Sequence, residues 1–422
     1  KSISEVISIG KNQLSLACKG KDWESVIGVL DDAEHHIGKE MSVNSHLNSV
    51  MFSDDFNKQY EKTLPLISNY YSDLGANKDL YHAFKRVKKT DLSEQQQHIV
   101  KKSLRGFELS GVALDDIKSA RFKEIKQQLS LLSNKFSKNV LQATNSWKKT
   151  VSVKDLKGFS DTELSKVRVE KGYEINLQMP VYIDLMTYAD SRSLREEVYK
   201  AYISRASDIG ITPKKFDNQK IMNEILQLRS ELSQLVGFSN YAEYSVESKM
   251  VDCPDEVVDF LNKLIELSLD QAKTELKELE NFAGHNLMPW DLMYYSEKLK
   301  QNKFNFKSSD LKPYFPEKSV FKGLFETIQN LYGITLTEID EECYHRDVRV
   351  IELKDKNGLI GKIYLDVYAR ENKRGGAWMS DYQGLYKDSL PVAFVVCNLN
   401  SPSENKPALF DFDEIVTIFH EF

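Results

Sequence analysis

Cysteine is scarce. Cys18, Cys253, Cys343 and Cys397 are the four in 422 residues, far apart and without a C-x-x-C pair. That argues against a disulfide framework and for reduced, mostly structural thiols in a cytosolic protein. Proline is nearly missing from the first part of the chain: Pro65 is the only one before Pro180, so helices there meet few breaks. No run of about 18 apolar residues occurs, and no helical membrane span is expected. Lys1 to Lys11 hold neither the apolar core of a signal peptide nor an initiator Met, so the start is expected to be trimmed. Excess positive charge is also missing. Lys and Arg number 57 against 63 Asp and Glu, for a net charge of −6; a nucleic-acid binder needs a cationic footprint that such a chain lacks. What remains is 41% hydrophobic and 28% charged residues, the make-up of an ordinary globular protein long enough for two or three domains.

Helical periodicity fills the first 150 residues. Leu104, Phe107 and Leu109 open one apolar stripe, and Ile117, Phe122, Ile125, Leu129, Leu132 and Phe136 continue it at steps of three to five, the mark of a buried helix face. Near residue 151 the pattern changes. Val151 to Gly158 is short and polar, and Ser160 with Glu163 has capping-box spacing. Tyr173, Ile175, Leu177 and Met179 alternate with polar residues and predict a strand. Helix returns over Leu194–Tyr202 and Ile221–Val236, with Gly237 as a stop. Asp252 and Pro254 open another helix that carries Val258, Leu261, Ile265 and Leu269 on one face, and Asp291–Asn302 is a further helix. These shifts divide the chain into an N-terminal helical domain, 1–150, a connecting strand and helix segment, 151–215, and a third domain, 216–422.

From about residue 345 the period becomes two. Val348, Val350 and Leu353 mark a strand, Asn357-Gly358 a hairpin turn, and Leu359–Val367 the partner strand. Gly375-Gly376 marks a break or a close backbone approach. Pro391–Leu399 is a nearly continuous apolar run, as for a strand covered on both faces. Asp411 and Asp413 precede a last helix, Glu414 onward, on which Ile415, Ile418 and Phe422 form an apolar face.

That helix carries His420-Glu421, the first half of H-E-x-x-H. Residues four apart share a helix face at roughly 5–6 Å between Cβ atoms, so two imidazoles so placed grip one zinc ion. The Glu beside the first His then stands where it can take a proton from water at the metal. One His-Glu pair among eight histidines is weak by itself. A sheet followed by an apolar helix bearing it is the order found in zincin-type proteases.

Longer segments say more: SHLNSV (45–50), LRGFELSG (104–111), MTYAD (186–190), LREEVYKAYISRASD (194–208), YYSEK (294–298), YFPE (314–317), YLDVYARENKRGGAWM (364–379), KPALF (406–410) and FHEF (419–422). Through them the chain resembles the thimet-oligopeptidase-like (M3) family of zinc metallopeptidases over nearly its whole length. The resemblance implies a mainly α fold with a small β-sheet, two lobes around a deep channel, and hydrolysis of peptide bonds in short oligopeptides by a cytoplasmic monomer. It implies one zinc per full-length chain, with His420 as the first ligand and Glu421 as the general base. The second zinc His and a later ligand Glu are expected beyond Phe422, so the ligand set here is incomplete. The chain is expected to be a fragment at both ends, itself inactive. Gly375, Gly376 and Ala377 are expected to lie on a sheet edge whose backbone pairs with substrate. A bulky residue at Gly376 would then block the peptide without unfolding the protein, unless φ there is positive.

Other groupings read as structure. GLIGK (358–362) lacks phosphate-loop spacing. His35-His36 with Asp31, Asp32 and Glu34 suits a solvated helix face better than a metal site. Lys85, Arg86, Lys88, Lys89, Lys101, Lys102 and Arg105 make basic helix surface. Trp378 is either a buried anchor beside a turn or part of the substrate edge. The alternative to an enzyme is a non-catalytic peptide-binding or scaffold protein.

Overall fold

The computed structural model describes residues 2–88, 91–402 and 407–422. Lys1, Lys89 and Lys406, named above, lie outside them. Helices Ile3–Ala17, Val29–Val50, Asp54–Gly75, Lys78–Arg86, Glu94–Leu109 and Asp116–Ser146 occupy the first part of the chain, as the sparse proline predicts. Pro65 sits inside Asp54–Gly75. The stripe from Leu104 to Phe136 is split between two helices. Phe107, Phe122 and Ile125 are buried, but Ile117 is 84% exposed: it belongs to the opening turn of the second helix and faces away from the core.

In space the chain forms two compact units. One comprises residues 1–48, 52–138 and 218–268; the other comprises 49–51, 139–217 and 269–422. The segments 1–150, 151–215 and 216–422 divide the chain along its length, whereas each unit gathers separate stretches.

The first unit is helical. Leu14, Val26, Leu80, Phe84, Val100 and Phe107 form one core, and Phe122 and Ile125 meet Leu228 and Leu232 in another. Arg121 forks onto both oxygens of Glu231 at 2.6 and 2.7 Å, which fixes the helix Gln219–Leu235 in register. Gly237 ends that helix with φ +91, the predicted stop.

The second unit holds two sheets. In the smaller, β1 (Lys148–Val151), β2 (Arg168–Val169) and β3 (Gly172–Asn176) run in the order β1-β3-β2. Ser160 and Glu163 form the predicted capping box. The strand predicted through Met179 stops at Asn176, because Pro180 at the start of Met179–Tyr188 favours a helix there.

The larger sheet contains β4 (Thr335–Ile339), β5 (Arg349–Asp355), β6 (Gly358–Tyr368), β7 (Trp378–Gln383) and β8 (Val392–Leu399), in the order β4-β5-β6-β8-β7. β5 and β6 form the predicted hairpin, with Lys356-Asn357 as its turn; the Asp355 carboxylate accepts the N–H groups of Asn357 and Gly358 at 2.7 and 3.1 Å. β8 runs parallel to β6 and antiparallel to β7. Its side chains alternate as a strand's must. Val395, Cys397 and Leu399 face a core shared with Phe321 and Leu324 of helix Glu317–Tyr332, while Phe394 and Val396 face Trp378, Tyr364 and Tyr382. Both faces of β8 are therefore covered, as its apolar run predicts.

Candidate active site

His420 and Glu421 lie on the last turn of helix Phe412–Glu421. Asp411 starts this helix. Its Oδ1 accepts the Glu414 N–H at 2.9 Å, and Glu414 Oε2 accepts the Asp411 N–H at 2.9 Å, a closed capping box. Ile418 is buried and Ile415 and Phe422 pack beside it against Cys397, Leu399 and Phe410, so the predicted apolar face is the one that meets the sheet. His420 is exposed and Glu421 half-exposed beside that face. Burial pushes the Cys397 thiol up to about 12; Glu421 adds to that shift and Lys373 opposes it. The thiol thus lies within electrostatic reach of both groups.

Lys373 belongs to the loop between β6 and β7. Asp366, at the end of β6, is fully buried. Arg370 donates to both its oxygens at 2.6 and 2.8 Å, and Tyr344 donates to Oδ2 at 2.9 Å. The buried Lys373 ammonium donates to Asp366 Oδ1 at 2.7 Å, to the Asp366 carbonyl at 2.9 Å and to the Tyr368 carbonyl at 2.7 Å. Burial pushes Lys373 down to about 8 against the pull of Asp366. Burial alone would raise Asp366, but Arg370 and Lys373 hold its carboxyl below the usual range. Removing one partner of such a buried pair typically costs about 3–5 kcal/mol, so this network sets the course of residues 369–377. It is the physical content of the YLDVYARENKRGGAWM segment. Sequence reading missed it; the visible signal was an Asp in a strand pattern with Arg and Lys four and seven residues later.

Gly375, Gly376 and Ala377 occupy the loop just before β7, not the strand itself. Both glycines are exposed, and a Cβ at either would meet no atom within 4 Å. Gly376 has φ +104. The Asn398 amide donates to the carbonyls of Arg374 and Gly376 at 2.9 and 2.7 Å, which ties the loop to the end of β8. Ala377 joins the same apolar cluster as Ile415, Ile418 and Phe422. β7 is an edge of the sheet and β8 its covered neighbour, while Trp378 is half-buried against Phe394 and Val396. The structure therefore brings Ala377 and the His-Glu helix to one core and sets the two glycines on exposed loop.

A catalytic zinc takes three protein ligands. Among the described residues no group of three His, Cys, Asp or Glu converges to hold a metal ion. His420 offers one imidazole, so the residues described do not by themselves make a zinc site. His35 and His36 form no such group either.

Residues 185–422 match Peptidase family M3, and residues 11–119 match the N-terminal domain of neurolysin and thimet oligopeptidase. Oligopeptidase A of Escherichia coli (strain K12) is 44% identical over 95% of this chain, which spans 62% of that protein. Oligopeptidase A of Haemophilus influenzae is 42% identical over the same shares. The organellar oligopeptidase A of Arabidopsis thaliana is 34% identical over 95% of this chain and 54% of its own length. The solved structure of PZ peptidase A with an inhibitor superposes with a TM-score of 0.56 at 13% identity, over all of this chain and 62% of that one, a likeness of fold. The chain spans about three fifths of the bacterial relatives it matches.

Proposed function

This chain belongs to Peptidase family M3, and on that premise we propose that the whole protein is a zinc-dependent oligopeptidase that hydrolyses short peptides in the cytoplasm. The observation that carries the reading is His420-Glu421 at the end of a capped apolar helix seated on a sheet, in a chain 44% identical to an oligopeptidase A. His420 supplies one zinc ligand and the remaining ligands come from outside the described residues. Zinc, when bound, supplies a Lewis acid that lowers the pKa of water to about 7 and polarises a peptide carbonyl. Glu421 stands next to His420 in sequence and half-exposed, so it can take the proton of an attacking water and pass it to the leaving amine.

The exposed backbone at Gly375 and Gly376 suits substrate pairing through main-chain groups, which serves an enzyme that accepts many side chains. Among the described residues no helix is long and apolar enough to cross a membrane. The net charge of −6 favours neither nucleic acid nor anionic lipid as a partner, and we assign the protein as a monomer. No observation favours the non-catalytic peptide-binding alternative.

The test is Glu421→Gln in the full-length protein. It keeps size and hydrogen bonding but removes the base. Zinc should stay bound while peptide hydrolysis falls at least about a hundredfold, the lower range for loss of a general base. Near-normal turnover with zinc retained would refute the role.

A further inference from the structure

A base must sit at a fixed place, and apolar packing alone does not fix Glu421. Ile415, Ile418 and Phe422 lean on the sheet, but such contact is non-directional and lets a helix roll or tilt. Direction enters two turns earlier. Glu414 precedes Glu421 by seven residues, about 10.5 Å along the axis and on nearly the same side of the helix. Its Oε1 accepts the backbone N–H of Asn400 at 2.7 Å and the Asn400 side-chain amide at 2.8 Å. Its Oε2 closes the capping box with Asp411.

Asn400 is itself held from behind. Its Oδ1 accepts from Lys166 Nζ at 2.8 Å, and Lys166 also donates to Asp184 at 2.8 Å. Asp184 lies 3.5 Å from Lys312 Nζ, which donates to Glu163 at 3.1 Å. The other oxygen of Glu163 accepts the Ser160 N–H at 2.9 Å. Asn400, Asp184, Lys312 and Glu163 are each no more than 5% exposed. Two ammoniums and two carboxylates balance, and the neutral Asn400 amide passes their orientation to Glu414. A buried polar chain is rigid when every member is satisfied.

We propose that Asn400 and Glu414 are positioning residues for Glu421, with Lys166 and its partners as their anchor. The inference rests on the reading of Glu421 as the base. A tilt of about 6° about the first turn would move a group some 10 Å along the helix by about 1 Å. A displacement of that size can cost roughly a hundredfold in rate. The buried chain suppresses that tilt while touching neither substrate nor metal.

The experiment uses the full-length, zinc-loaded protein at a temperature well below its melting transition, with kcat counted per bound zinc. Wild type and Glu421→Gln are measured first; failure of wild type to cleave peptides, or full activity in Glu421→Gln, defeats the underlying reading and not this step. Given those controls, Asn400→Ala should lower kcat at least about tenfold while KM stays within about twofold. A role in folding alone would shift the melting temperature and leave kcat per zinc unchanged, which would overturn the proposal. A rise in KM with kcat retained would also overturn it. Should Asn400→Ala fail to fold, Lys166→Met serves in its place: it leaves Asp184 paired with Lys312 and removes the donor behind Asn400. A severalfold fall in kcat supports the anchor; wild-type kcat refutes it.

Discussion

Gly375 and Gly376 are neighbours with different backbones, and that difference decides how the substrate edge is tested. Gly376 has φ +104, where any side chain strains the chain by about 1–2 kcal/mol. Gly375 is not among the glycines of positive φ, and a Cβ there meets nothing within 4 Å. The stability-neutral substitution expected for Gly376 from sequence therefore belongs at Gly375. In the full-length protein Gly375→Val should keep its zinc and melt within a few degrees of wild type, a shift equal to roughly 1 kcal/mol or less. Its kcat/KM on peptides should fall at least about tenfold, near 1.4 kcal/mol of transition-state binding. Kinetics, metal content and melting on one preparation decide it; unchanged kcat/KM removes these glycines from the substrate edge. The glycines were legible in sequence as a break. The sign of φ was not, because glycine is chosen both for positive φ and for open space, and only coordinates separate the two. Asp366, Arg370 and Lys373 were illegible for a related reason: a charged residue in a strand pattern reads as a solvent-facing position until its partners are seen to converge on it.

At the scale of elements, periodicity located the helices and the hairpin but not always what covers them. Helix Pro254–Ala283 forms where the sequence predicts it. Yet Val258, Leu261, Ile265 and Leu269 are 51%, 51%, 55% and 44% exposed. Phe412, Val416 and Phe419 of the His-Glu helix are likewise exposed. A helix apolar on both sides has the pattern of a buried one, and period reports which residues share a face, not what stands opposite. The capping box at Ser160–Glu163 was readable because it is local. The reach of Glu414 to Asn400 was not, since it joins residues 14 apart through the end of β8. For this chain the exposed face predicts that Ile265→Glu changes unfolding free energy by no more than about 0.5 kcal/mol, as for surface sites generally, while lowering the binding of an apolar dye. Urea unfolding that shows a loss of 2 kcal/mol or more, about what burying such a side chain contributes, would place Ile265 in a covered environment in solution.

For the molecule as a whole, the family was legible from long segments while the division in space was not. A compact unit built from 1–48, 52–138 and 218–268 leaves no mark on composition, because long-range contacts and not local pattern assemble it. The metal illustrates the same limit of local pattern. His420-Glu421 states a zinc chemistry in two residues, but a zinc site is a constellation. Zinc held by one imidazole keeps three coordination positions for water and dissociates on dilution, whereas catalytic sites retain the ion through three protein ligands. Among the described residues His420 is part of no group of three donors that could hold a metal ion. The two adjacent histidines at 35 and 36 ride on helix Val29–Val50 and likewise join no group of three donors among the described residues. The expected outcome is that the 422-residue chain, dialysed against metal-free buffer, carries far less than one zinc per chain by elemental analysis, and that His420→Ala leaves this residual content unchanged. One tightly held zinc per chain, lost in His420→Ala, would overturn the expectation: the residues of this chain would then complete the site themselves by an arrangement other than the one described.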